Sequence, residues 1–208
     1  MSSQIKSEDR YLKHEELPRF CQGDILRDLE VIEWATVINT EPKEINLQKR
    51  LLPYAVVLSQ ECDLHQDQQN RVNVARPTQD KYLHSVLLGP AFQAQSVRQG
   101  THLNMLGVKC EPLNSVRWAV VTQNNNDRYH FLPAFDPLQV PDIVIDFKHF
   151  LTAPRAILLS LKPNAYIASL GQLFRENLSQ RFANFLSRIA LPDPLDEAEE
   201  RKATEGAA

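Results

Sequence analysis

Apolar residues fall in short runs over most of the chain and change to helical spacing near its end. Residues 31–39 (VIEWATVIN) are rich in β-branched and aromatic side chains, which predicts a strand after the Gly23-Asp24 turn, broken by Thr40-Glu41-Pro42-Lys43. Residues 54–59 (YAVVLS) follow Pro53 and are continuously apolar rather than alternating, which predicts a strand covered on both faces. Further strands are expected at 72–75, 143–147 and 156–161, whereas 82–92 fits either state and is interrupted by Gly89-Pro90. Residues 115–122 and 128–132 flank the asparagine-rich stretch 123–127, which predicts a β-hairpin. From Ile167 onward, apolar residues at 167, 170, 174, 178, 182, 185 and 189 predict one long amphipathic helix, capped by Asn164 and ended by Leu191-Pro192.

Strands that do not alternate regularly with helices disfavour a doubly wound parallel sheet. The pattern predicts an α+β fold: a mostly antiparallel β domain, such as a small barrel, covered by the C-terminal helix. A flexible arm is expected over 1–19, a single domain over 20–191, and an acidic disordered tail over 192–208.

Composition narrows the function classes. With 43% apolar and 24% charged residues among 208, the chain is an ordinary globular sequence. No apolar run approaches the roughly 18 residues that span a bilayer, and the first ten residues are polar, so no membrane segment and a cytoplasmic location are expected. There is no GxGxxG and no GxxxxGK[ST], hence no phosphate-cradling loop of those two kinds. Residues 192–208 carry six acids and two bases, which leaves 1–191 near neutral at +1 within a net charge of -3. A near-neutral body does not favour nucleic-acid binding through a broad positive field. The three cysteines (Cys21, Cys62, Cys110) are widely spaced, and no CxxC, HExxH or HxxxH occurs, so neither a disulfide framework nor a metal site is expected, and no cofactor.

Candidate chemistry centres on Ser59-Gln60-Glu61-Cys62-Asp63-Leu64, directly after the apolar strand. Continued strand geometry places Ser59, Glu61 and Asp63 on one side and Gln60, Cys62 and Leu64 on the other. In the structural reading, Cys62 is a small buried hydrophobe that labels slowly and Asp63 closes a turn. In the catalytic reading, Cys62 is a nucleophile, His130 its base and Asp146 the orienting acid, with Asp63 counted among the catalytic candidates. On the C-terminal helix Asn177, Arg181, Asn184 and Arg188 form a polar stripe. Arg181 and Arg188 either lay their stems on the core or grip a partner's anion, alongside Ser59 and Gln60 as binding residues.

Ser59–Leu64 (SQECDL), with RENLSQRFA at 175–183 and RIALP at 188–192, resembles a set of bacterial proteins that share an SQxCD motif and an RExLxQRFA helix. That likeness implies a family and not a function. Gly23-Asp24-Ile25 followed by PYAVVLS at 53–59 is similar to the opening of PemK/MazF-type toxin ribonucleases, which implies an SH3-like barrel over the N-terminal part. Leu52 stands where that family has the arginine that would stabilise transition-state phosphate charge.

The expected function is a cytoplasmic, non-enzymatic binding or accessory module with a protein partner or a second copy of itself. The PemK/MazF likeness adds a setting in phage defence or a toxin-like system. The alternatives are a cysteine-dependent hydrolase using Cys62 with His130, and a PemK/MazF-like endoribonuclease in which Arg50 or Arg71 replaces the absent arginine.

Overall fold

Two long strands carry the sheet. β2 (Asp24–Ile38) and β3 (Glu44–Val57) pair antiparallel from Ile25↔Val56 to Ile38↔Glu44, with a bulge between Ile32 and Trp34. The computed structural model describes residues 10–14, 17–38, 44–73 and 78–188, with backbone alone at 33–38 and 44–48; the expected tail at 192–208 and residues 74 and 75 of the expected strand 72–75 lie outside them, while Val72 is helical. The remaining strands are β1 (Tyr11–Leu12), β4 (Ser85–Gln93), β5 (Tyr129–Leu132), β6 (Ile143–Asp146), β7 (Leu151–Pro154) and β8 (Tyr166–Leu170). The helices are α1 (Glu61–Val72), α2 (Ala94–Arg98), α3 (Ser115–Thr122), α4 (Arg155–Ala165) and α5 (Gln172–Leu186).

The fold is α+β, with an eight-stranded antiparallel sheet ordered β1-β8-β2-β3-β4-β6-β5 and β7 on β4 beside β6. The sheet does not close into a barrel. No ladder joins β1 to β5 among the described residues; a side chain links the two ends, the Tyr11 hydroxyl donating to Pro133 O at 2.6 Å. Part of the expected flexible arm is held in the sheet: Tyr11 is buried and pairs with Leu170 of β8.

The continuous apolar run on β3 is covered on both faces, as its pattern requires. Val56 packs with Ile25, Ile145, Leu178 and Phe182 beneath α5, while Ala55 and Val57 pack with Leu26, Leu52, Leu88 and Leu158 on the other face, beside α4. Three expected elements differ. Residues 115–122 are helix α3, because Asn114 Oδ1 caps it by accepting from Arg117 N at 2.9 Å and only Val121 is buried. The asparagine-rich stretch is consequently no hairpin turn. Asn124, in the left-handed region at φ 57°, clamps β5 by accepting from Phe131 N (2.6 Å) and donating to Phe131 O (3.0 Å). Residues 156–161 are also helical, within α4. The C-terminal helix starts at Gln172 rather than Ile167, since Ile167 and Leu170 belong to β8, whose run from 167 to 170 is buried between β1 and β2.

Candidate functional site

Where β3 runs out, the chain stays anchored to β4. Leu58 N donates to Leu87 O at 2.8 Å, and the Ser59 hydroxyl accepts from Leu87 N at 2.8 Å. Strand geometry does not continue into the SQECDL segment: Gln60 is the N-cap residue of α1, and its carbonyl accepts from Leu64 N at 3.1 Å. Helical spacing then puts Leu64, Asp67 and Asn70 on the buried side and leaves Cys62 and Asp63 exposed. Glu61 fixes the entry of the helix. Its carboxylate accepts from Arg19 Nη2 (2.7 Å) and Gln22 N (2.8 Å) and lies 3.5 Å from Arg175 Nη1. Arg175 belongs to α5, so an ion pair joins the two sequence segments that stand out.

Those segments form two walls of one cleft of about 350 Å³: Ser59, Gln60 and Asp63 on one side, Phe182, Ala183 and Leu186 of α5 on the other. Phe182 is buried at its base, and Leu186 is 55% exposed at its rim. The cleft thus has an apolar floor, one accessible carboxylate and backbone held on both sides. This arrangement suits binding an apolar side chain and placing a positive charge beside it.

The other singled-out residues sit elsewhere. His130 lies in β5 and is buried, its Nδ1 accepting from Arg181 Nε at 3.0 Å. Burial, reinforced by Arg181 and Arg10, pushes its imidazole down to about 3, so the ring is neutral across the physiological range. Arg181 also donates to the carbonyls of Asn124, Asn126 and Tyr129, which makes it a staple between α5 and β5 rather than a free grip for an anion. Arg188 is exposed, with its guanidinium over the Phe185 ring at 4.0 Å and Nε donating to Phe185 O.

Asp146 is paired across the ladder with Tyr129, whereas His130 is paired with Ile145. The two side chains therefore point to opposite faces of the sheet. Asp146 accepts from Arg128 Nε (2.8 Å), Arg128 Nη2 (2.6 Å) and Lys148 N (3.1 Å). His102 Nε2 and His149 Nε2 lie 3.6 and 3.9 Å from its Oδ2, beyond hydrogen-bond length. No hydrogen bond among the described residues joins Cys62, His130 and Asp146; the Cys62 sulfur's neighbour is Asp63 Oδ1 at 3.6 Å. No group of His, Cys, Asp and Glu able to hold a metal ion occurs among the described residues, and no helix there is long and apolar enough to cross a membrane.

Polar groups that the residue pattern did not single out complete the picture. Asp24, read as a turn residue, is buried, accepting from Ser169 Oγ (2.5 Å) and Cys21 N (2.9 Å) with Lys162 Nζ at 3.8 Å. Asp67 pairs with Arg71 one turn further along α1 and ties the helix to Arg155 of α4 and to Leu83 N. Asp24 enters the residue pattern only within Gly23-Asp24-Ile25 and Asp67 not at all, because Ser169, Lys162 and Arg155 lie far from them in the chain. No family model and no curated protein matches this sequence.

The thiols give a direct check on this arrangement. Cys62 is exposed, against the burial expected from SQECDL, while Cys21 is buried and its thiol is pushed up to about 11, chiefly by that burial. Under native conditions an alkylating reagent should label Cys62 first and Cys21 only on unfolding, read by mass spectrometry of the digested protein. Protection of Cys62 in the native state would contradict the helical start at Glu61.

Proposed function

We propose that the chain is a binding module, and that the cleft between the SQECDL segment and α5 takes a segment of a protein partner in which a large apolar side chain stands next to a lysine or arginine. The observation that carries this reading is the meeting of the two motifs at one cleft, joined by the Glu61–Arg175 ion pair. The apolar floor at Phe182 and Leu186 accommodates the hydrophobe, and Asp63 at the rim offers the counter-charge. The same geometry argues against cysteine hydrolase chemistry at Cys62, because His130 is neutral, buried and held by Arg181.

The PemK/MazF likeness also belongs to this reading. Its two pieces lie on neighbouring strands: Ile25 pairs with Val56, and Gly23 N donates to Val57 O at 2.8 Å. With the ends of the sheet bridged by Tyr11 and Pro133, we read the domain as an opened relative of such barrels, serving as an accessory subunit in a cytoplasmic defence or toxin-like system.

Selection of short peptides from a display library on the full chain tests the cleft. The expected consensus pairs a large hydrophobe with a basic residue, and Leu186→Glu weakens the selected peptides by roughly tenfold or more. Peptides without that pairing, or peptides indifferent to Leu186→Glu, would refute the reading.

A further inference from the structure

A second groove, of about 440 Å³, lies between the β2–β3 ribbon and the segment leading into β7. Three of its lining side chains, Arg50, Lys148 and His149, carry or can carry positive charge, and Thr152 adds a hydroxyl; no acidic residue lines it among the described residues. They come from separate elements brought together by the sheet. Arg50 faces Val31 across the β2–β3 ladder, where the ribbon bends at the Ile32/Trp34 bulge, and Thr152 pairs with Leu87 of β4. Lys148 and His149 are placed by Asp146: its Oδ1 accepts from Lys148 N, and its Oδ2 lies 3.9 Å from His149 Nε2. Asp146 is itself occupied by the two bonds from Arg128, so its charge is compensated behind the groove.

We propose that this groove binds a phosphomonoester carried on a planar apolar body, the chemistry of a nucleoside monophosphate. Converging cations and a hydroxyl suit a tetrahedral dianion, because a guanidinium fork, an ammonium and an imidazolium can each meet a different oxygen. The planar body is indicated by the rim. Ile32 is 60% exposed and Phe150 41%, and Phe150 is held edge-on by Phe182 at 5.5 Å, which leaves an apolar surface beside the charged one. The volume suits one small molecule and not a length of strand. Around His149, burial together with Arg128, Arg50 and Lys148 lowers the imidazole's proton affinity against the pull of Asp146, and a bound dianion would reverse that balance.

Calorimetric titration of the full chain with adenosine 5′-monophosphate, adenosine, inorganic phosphate and an RNA pentamer lacking terminal phosphates tests the proposal. The monophosphate should bind at least roughly tenfold more tightly than the other three probes, and Arg50→Gln and the exposed Lys148→Gln should each weaken it by about tenfold. In nuclear magnetic resonance spectra, the His149 ring should titrate at higher pH with the monophosphate bound. No binding, a monophosphate no tighter than phosphate or adenosine, or affinity unchanged in the folded Lys148→Gln protein would each overturn the proposal. Tighter binding of the pentamer would overturn it in favour of a nucleic-acid surface.

Discussion

Phe182→Ala should lower the stability of the fold by about 3–5 kcal/mol, the range for truncating a buried aromatic side chain. Phe182 is 7% exposed, and its ring meets Phe147 at 5.4 Å, Phe150 at 5.5 Å and Phe185 at 6.5 Å between centroids. The neighbours cannot readily close the space. Arg181 fastens α5 to β5 through His130 and three carbonyls, and Arg175 fastens it to Glu61, so the helix backbone is held on either side of the lost ring. Urea unfolding should show the midpoint fall with the slope unchanged. Leu173→Ala on the same helix, at a position 54% exposed, should change stability by less than about 0.5 kcal/mol. Equal effects at the two positions would mean that α5 does not pack on the sheet through this face.

Asp146→Ala should cost a similar amount, about 3–5 kcal/mol, because it leaves the half-buried Arg128 guanidinium without its two-bond partner. The effect should depend on pH. Burial pushes the Asp146 carboxyl up, but Arg128, with His102 beside it, outweighs that and holds it at about 2, below the unfolded value of roughly 3.9. Its contribution is therefore complete above the unfolded value and is lost as pH falls through the folded one. His130 acts in the same direction over a higher window. Its imidazole is near 3 when folded against 6.5 when free, so the unfolded chain takes up a proton that the folded chain refuses. Stability then falls with acidification from about pH 6.5, by up to about 1.4 kcal/mol per pH unit. Asp24 opposes both, since burial raises its carboxyl and acid favours the folded form there. Denaturation series across pH should show His130→Gln flattening the upper part of the acid loss and Asp146→Ala the part below about pH 4. A stability profile between pH 6.5 and 4 that is the same in His130→Gln as in the wild type would contradict the buried neutral imidazole.

The parts of the fold visible in the residue pattern are those in which burial decides conformation. The run Tyr54–Leu58 has nowhere to turn a polar face, and it is the strand at the centre of the sheet, buried at Ala55, Val56 and Val57. Short aliphatic runs give the wrong element for the same reason. Residues 115–122 and 156–161 carry enough aliphatic side chains for a strand, but each buries one residue, Val121 and Leu158, while others stay exposed, as Val116 at 75% and Ile157 at 58% show. Helix α1 was hidden by composition, since its inward side includes Asp67, whose partner Arg155 is remote in sequence, and Asn70, whose side-chain amide donates to Gln66 O within the helix. At the candidate cleft, Ser59, Gln60 and Asp63 were legible from their place after the apolar strand. Their meeting with Phe182 and Leu186 was not, because only the Glu61–Arg175 pair and the path of α5 across the sheet bring them together.

The most direct measurement of the cleft's role is photo-crosslinking from its wall. A photoreactive residue replacing Gln60 in the full-length chain, activated in the cells that produce it, should give a discrete adduct with one partner protein. That adduct should disappear in the Leu186→Glu background and be absent when the same group replaces Met105, which is 78% exposed away from the cleft-lining residues. Adducts that persist with Leu186→Glu, or that form equally from position 105, would contradict a cleft-borne binding function.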